Sequence, residues 1–248
     1  MASSYQAYIE SDSEGNAMAH VLSLPGCFSQ GTDRHKAIAA LPKAVRCYNA
    51  WLQRHGRSAG RAQDAVEVAV VEEVVDVGPF APGDAAALFR PEKEPISADE
   101  MEYRFLLMTY NRADLLELAA DLQECILDFE VDSSSFTIRE VLRHVGNVEE
   151  WYVSRLVDPD TLPSEWDGDD ALPIFPFLEM ERRTVVERLR RLTATERSKV
   201  SRPDRWTDHP EEQWTARKAL RRLLEHEREH IGHVKEIIDA RESRARER

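Results

Sequence analysis

"GPFAPGDAAALFRPEKEPIS", residues 78–97, separates two stretches of sequence with different hydrophobic periods, and its four prolines and two glycines predict an irregular connection there. Ahead of it the pattern is that of strands with one helix; behind it the pattern is helical to the end of the chain. The resulting expectation is an α+β protein: an N-terminal domain over 1–78, a proline-rich linker over 79–97, and an antiparallel four-helix bundle over 98–248.

Working back from the connection, Val66 to Val75 is rich in β-branched residues and predicts a strand. Tyr5–Glu10 and Ala17–Leu24 also favour strands, and the intervening "SDSEG" has the turn chemistry of a hairpin. Pro25, Gly26 and Gly31 punctuate a short third strand. Ala37, Ile38, Leu41, Val45, Tyr48 and Leu52 recur every three or four residues, which predicts a helix from about Asp33 to Arg54 covering the sheet, with Pro42 expected to kink or break it near Leu41. The predicted order is β-β-β-α-β.

Working forward, Ser97 caps a long amphipathic segment and Thr137 caps "IREVLRHVGNVEEWYVSRLV". A third helix is predicted over Ile174–Leu192, with Pro176 in its first turn where a missing N–H costs little, and a fourth from about Glu212 onward. Each amphipathic helix needs a partner for its apolar face, and four of them make a bundle.

The chain of 248 residues carries a net charge of −13, a field that repels a phosphate backbone and disfavours nucleic acid as a partner. Three widely spaced cysteines, Cys27, Cys47 and Cys125, form no CxxC pair and read as reduced, mostly buried thiols. No apolar run reaches the roughly 18 residues of a membrane span, and the N-terminal residues lack the basic-then-apolar pattern of a leader. A cytoplasmic protein without a membrane partner is expected.

The chemistry gathers on histidine. In "LLEHEREHIGHV", residues 223–234, His226 and His230 are four apart and share one helix face. His144, beside Val141, Val145 and Val148, falls near the inward side of the second bundle helix. Three neutral imidazoles would hold zinc, nickel or iron and leave positions open for water or substrate. His144 alone reads more readily as a packing residue, and the pair reads equally as ligands or as part of a solvated charged face, since Glu225, Glu227 and Glu229 surround it. His233 is expected beside the set or at the surface. Trp151, Tyr152 and Trp214 are candidates for the pocket mouth, although aromatics at helical spacing are more often core. Glu227 is a candidate to orient a ligand or move protons, but helical geometry turns it about a hundred degrees away from His226.

Two families resemble these stretches. The region from about Asp99 to Ala240, with "FTIREVLRHVGNVEEWYVSRL" carrying His144 and "HEREHIG" carrying His226, Glu227, His230 and Gly232, resembles the DinB-like metalloprotein superfamily. The resemblance implies a divalent metal on His144, His226 and His230, often a dimer, and in some relatives a low-molecular-weight thiol cofactor used for transfer or isomerisation. The region Tyr5–Val75, through "YIESDSEGNAMAHVLSLPGCFSQGTDRHKAI", resembles the HicB-like antitoxin fold. In that family a DNA-binding element follows this fold, and here the bundle takes its place, which leaves a packing or dimerisation role. Two functions follow as expectations: an enzyme whose metal activates a thiol or water toward a small-molecule substrate, or a binding or regulatory protein with a structural ion.

Overall fold

The computed structural model describes residues 3–58, 60, 65–78, 80, 86–133, 135–162, 171–207 and 209–246. Among them the chain forms β1 (Ser3–Asp12), β2 (Ala17–His20), β3 (Phe28–Gly31), α1 (Arg34–Arg54), β4 (Val66–Val77), a 3-10 turn at Arg90–Lys93, α2 (Ala98–Ala119), α3 (Glu124–Leu127), α4 (Ile138–Ser154), α5 (Ile174–Arg190), α6 (Ala194–Ser198) and α7 (Ala216–Arg246). They group into two compact units, one of residues 1–95 with 200–221, the other of residues 96–199 with 222–248.

The first unit is a sheet of order β3-β2-β1-β4. β1 and β2 pair antiparallel with Tyr8 opposite His20, and β4 returns parallel to β1. Gly15, at φ +90°, makes the hairpin turn with a backbone conformation that side chains resist. α1 runs unbroken through Pro42, where the sequence left room for a kink or break, and its buried residues Ala37, Leu41, Val45, Tyr48 and Leu52 lie on the expected stripe. Packing of that stripe outweighs the one hydrogen bond that proline removes.

Strand β1 is buried on both faces from Ala7 to Glu10. Tyr8 packs against Phe89 with ring centroids 5.4 Å apart, so the described part of the proline-rich stretch adds core to this unit, Ala87 and Phe89 both being buried. The carboxylate of Glu10 faces His20 at 2.8 Å and accepts the Ala87 N–H at 2.6 Å. Arg221 bonds Glu92 at 2.7 Å, and Lys218, fully buried, donates to Glu212, the Ala86 carbonyl and the Gln213 carbonyl. Burial pushes the Lys218 ammonium down to about 8, against the opposing pull of Glu212.

The second unit is helical. Ser97 with Glu100 and Thr137 with Glu140 form capping boxes at the starts of α2 and α4, so side chains satisfy N–H groups that the helices leave unpaired. One core joins Leu115 and Ala119 of α2, Val141, Leu142 and Val145 of α4, Phe177 and Leu178 of α5, and Ile231, Val234 and Ile237 of α7. Gly146 lets α5 approach α4, since a Cβ there would lie 2.2 Å from a ring carbon of Phe177. α7 begins at Ala216, later than Glu212, because Trp214 first pairs with Ser201 in an isolated bridge. No described helix is long and apolar enough to cross a membrane. Of the cysteines only Cys27 is buried, while Cys47 and Cys125 are exposed, which corrects the expectation of mostly buried thiols.

Candidate metal centre

α4 presents His144 two turns after its cap, and α7 presents His226 and His230 one turn apart. The Nε2 atom of His226 lies 3.0 Å from that of His144 and 3.1 Å from that of His230. A neutral imidazole Nε2 carries either one hydrogen or one lone pair, so the His226 atom cannot satisfy both neighbours by hydrogen bonding. Three lone pairs aimed at one cation resolve the conflict, and tetrahedral zinc with Zn–N near 2.0–2.1 Å separates its nitrogens by about 3.3 Å. Among the described residues this is the set of histidine, cysteine and carboxylate ligands that converges, and neither His233 nor an acidic residue joins it.

His144 is exposed while His226 and His230 are half-buried, so the set stands at an accessible rim instead of inside the bundle, where the valines beside His144 had placed it. Burial holds the half-buried pair below their ordinary pKa: His230 is pushed down to about 4, with His144 and His233 adding to the effect, and His226 lies well below the usual range, with His230, His144 and Arg222 adding to it. His144 keeps an exposed face, and its imidazole shifts the same way because its packed side is desolvated, with the charge of His233 adding to the effect. The rings are therefore neutral at pH 7, the form that binds a metal. His233 sits next to His230, ring centroids 5.9 Å apart. The buried Nδ1 of His230 has no hydrogen-bond partner among the described residues.

Glu227 points into the bundle, away from this rim. Its carboxylate accepts Arg112 Nε at 2.7 Å and Arg182 Nη2 at 2.8 Å. Both arginines also bind Glu149, and each uses its remaining reach on a carbonyl, Arg112 on Leu178 and Arg182 on Met108, both at 2.7 Å. One residue from each of α2, α4, α5 and α7 thus makes a closed set of two positive and two negative charges. Burial would raise the Glu227 pKa, but Arg182 and Arg112 outweigh it and hold it below the usual carboxylate value. Such a carboxylate stays ionised and fully bonded, a poor proton carrier and a good tie between helices. Sequence reasoning missed this set, although Arg112 and Arg182 occupy positions on the apolar stripes of their helices, between Met108 and Leu115 and between Leu178 and Val185.

The aromatic candidates divide. Trp214 is buried in the first unit with the Lys218 ammonium 4.1 Å above its ring, which makes it part of that unit's core. Trp151 is half-buried, packed on Tyr152 and under the guanidinium of Arg155. Tyr152 meets the set, its ring edge-on to His226 with centroids 6.1 Å apart.

Comparison with known proteins adds three findings. The UPF0150 protein Ta0767 of Thermoplasma acidophilum is 33% identical to this chain over 66 residues, which cover 27% of this chain and 94% of that one. The structure of YfiT from Bacillus subtilis, described as a probable metal-dependent hydrolase with an unusual four-helix bundle topology, aligns with 62% of this chain and 92% of its own at 18% identity and a TM-score of 0.44. A family model, that of the DinB superfamily, matches residues 107–234, a span that contains all three converging histidines. With more than half of its 248 residues inside that match, the chain belongs to the DinB superfamily.

Proposed function

We propose that the chain is a metal-dependent enzyme that holds one divalent cation on His144, His226 and His230 and acts on a small molecule by hydrolysis or by transfer of a thiol. The observation that carries this reading is the meeting of three Nε2 atoms from two helices, with that of His226 facing both others, an arrangement one neutral imidazole nitrogen cannot satisfy by hydrogen bonding. A bound cation supplies Lewis acidity and lowers the pKa of a water or thiol it holds. The chain's own part is to present neutral imidazoles at pH 7, to leave one side accessible at the exposed His144, and to wall the other with buried Tyr152. Three protein ligands, with no fourth among the described residues, favour exchange over a closed structural site. Zinc, nickel and iron all suit such ligands.

The test is elemental analysis of tag-free protein beside the His226→Ala/His230→Ala variant. About one ion per chain, lost in the variant, is the expected result. Equal metal content in both proteins would end the reading. Cobalt-substituted protein then separates the two chemistries, because direct sulfur coordination changes the visible spectrum; no response to added thiols leaves water as the nucleophile.

For the first unit we propose a HicB-like role in self-association, for which the edge strand β4, with Val70, Val71 and Val75 exposed, is the support. A monomeric mass by light scattering at micromolar concentration would remove it.

A further inference from the structure

His226 is the middle ligand of the set, since its Nε2 faces both other nitrogens, so a rotation of this one ring breaks two contacts at once. The χ2 torsion of histidine is broad and does not fix the ring by itself. What touches the ring from the bundle side is Tyr152, which is 2% exposed and meets it at an interplanar angle of 78°. Edge-to-face contacts of this kind are directional because the positive ring edge seeks the negative face. The Tyr152 hydroxyl bonds Arg222, one helical turn before His226, and Arg222 Nη1 lies 3.2 Å from Glu225. Tyr152 is therefore held at both its ring and its hydroxyl by the same stretch of α7 that carries the ligand.

We propose that Tyr152 is the positioning residue of the histidine set, its ring fixing the His226 imidazole, and with it the α4–α7 register, so that Nε2 meets those of His144 and His230. This rests on the metal-binding reading above. The hydroxyl bond to Arg222 anchors the tyrosine, and the ring contact does the aiming. Trp151, the neighbour with the larger ring, packs under the Arg155 guanidinium and against Tyr152 itself.

The test compares Tyr152→Phe, which keeps the ring, with Tyr152→Met, which fills the space with a flexible chain. Zinc affinity is measured by competition with a chromophoric chelator, the cobalt spectrum reports ligand geometry, and circular dichroism of the metal-free proteins reports folding. The expected result is Tyr152→Phe within about threefold of wild type and Tyr152→Met about 10- to 100-fold weaker, the range seen when groups supporting metal ligands are removed. A shifted cobalt spectrum in a folded Tyr152→Met protein supports aiming over general stability. Tyr152→Met binding like wild type, or Tyr152→Phe losing as much as Tyr152→Met, overturns the proposal while metal binding stands. A wild type that binds no metal removes both. Should Tyr152→Met not fold, nuclear Overhauser contacts between the Tyr152 and His226 rings in zinc-loaded wild type support the proposal, and their absence overturns it.

Discussion

Glu227 shows how far neighbours in sequence can diverge in role. It follows His226 directly, yet it belongs to the buried set with Arg112, Glu149 and Arg182. Glu227→Gln should leave two guanidinium groups short of one negative charge and cost about 3 kcal/mol or more of stability. Zinc affinity of the folded variant should stay close to wild type, because no ligand is touched. Chemical denaturation with zinc titration checks both, and a tenfold loss of affinity without loss of stability would return Glu227 to the metal site. The histidines make a second prediction. Unfolded histidine titrates near 6.5, roughly, whereas burial lowers His226 and takes His230 down to about 4. Between these values the unfolded chain binds more protons, so the metal-free protein loses stability as pH falls from about 6.5 toward 4. Melting temperatures should fall across that window, and His230→Asn should flatten the fall; an unchanged slope would show that other groups dominate.

Helices and strands were legible where a local rule forms them. The caps at Ser97 and Thr137 were visible as residue types at fixed spacing, and both are realised with their glutamate partners. The end of a helix without such a signal was not: α7 starts late because Trp214 bonds Ser201, a partner thirteen residues away that no helical rule anticipates. Pro42 left room in the sequence for a kink or an early break, because the local cost is visible and the packing that offsets it is not. The contact of α4 with α5 yields a prediction of its own. Gly146→Ala should destabilise the protein by about 1–3 kcal/mol through its clash with buried Phe177. This outweighs the roughly 1 kcal/mol that alanine adds to a helix. A variant as stable as wild type would mean that the Phe177 ring moves aside freely.

The two units are not consecutive pieces of chain. Residues 200–221 complete the first unit, bringing Arg221 to Glu92 and Lys218 to Glu212 and the Ala86 carbonyl. A fragment ending at Pro95 therefore lacks the cations that neutralise Glu92 and the core residue Trp214. It should give a poorly dispersed NMR spectrum, although the sheet and α1 are all present. Sharp, dispersed signals from that fragment would show that the sheet and α1 suffice.

What could be read without coordinates was whatever depends on short separations along the chain. The periods of two and 3.6 residues, the caps, the hairpin turn and the helical pairing of His226 with His230 are of this kind, because backbone geometry alone puts those groups together. The meeting of His144 with His226, the four-helix charge set around Glu227, the burial of Trp214 and the contact of Tyr152 with His226 were decided by packing between distant segments. A side chain's partner across a core depends on which helix faces it and at what register. That information is spread over all the buried surfaces and resides in no single stretch of residues.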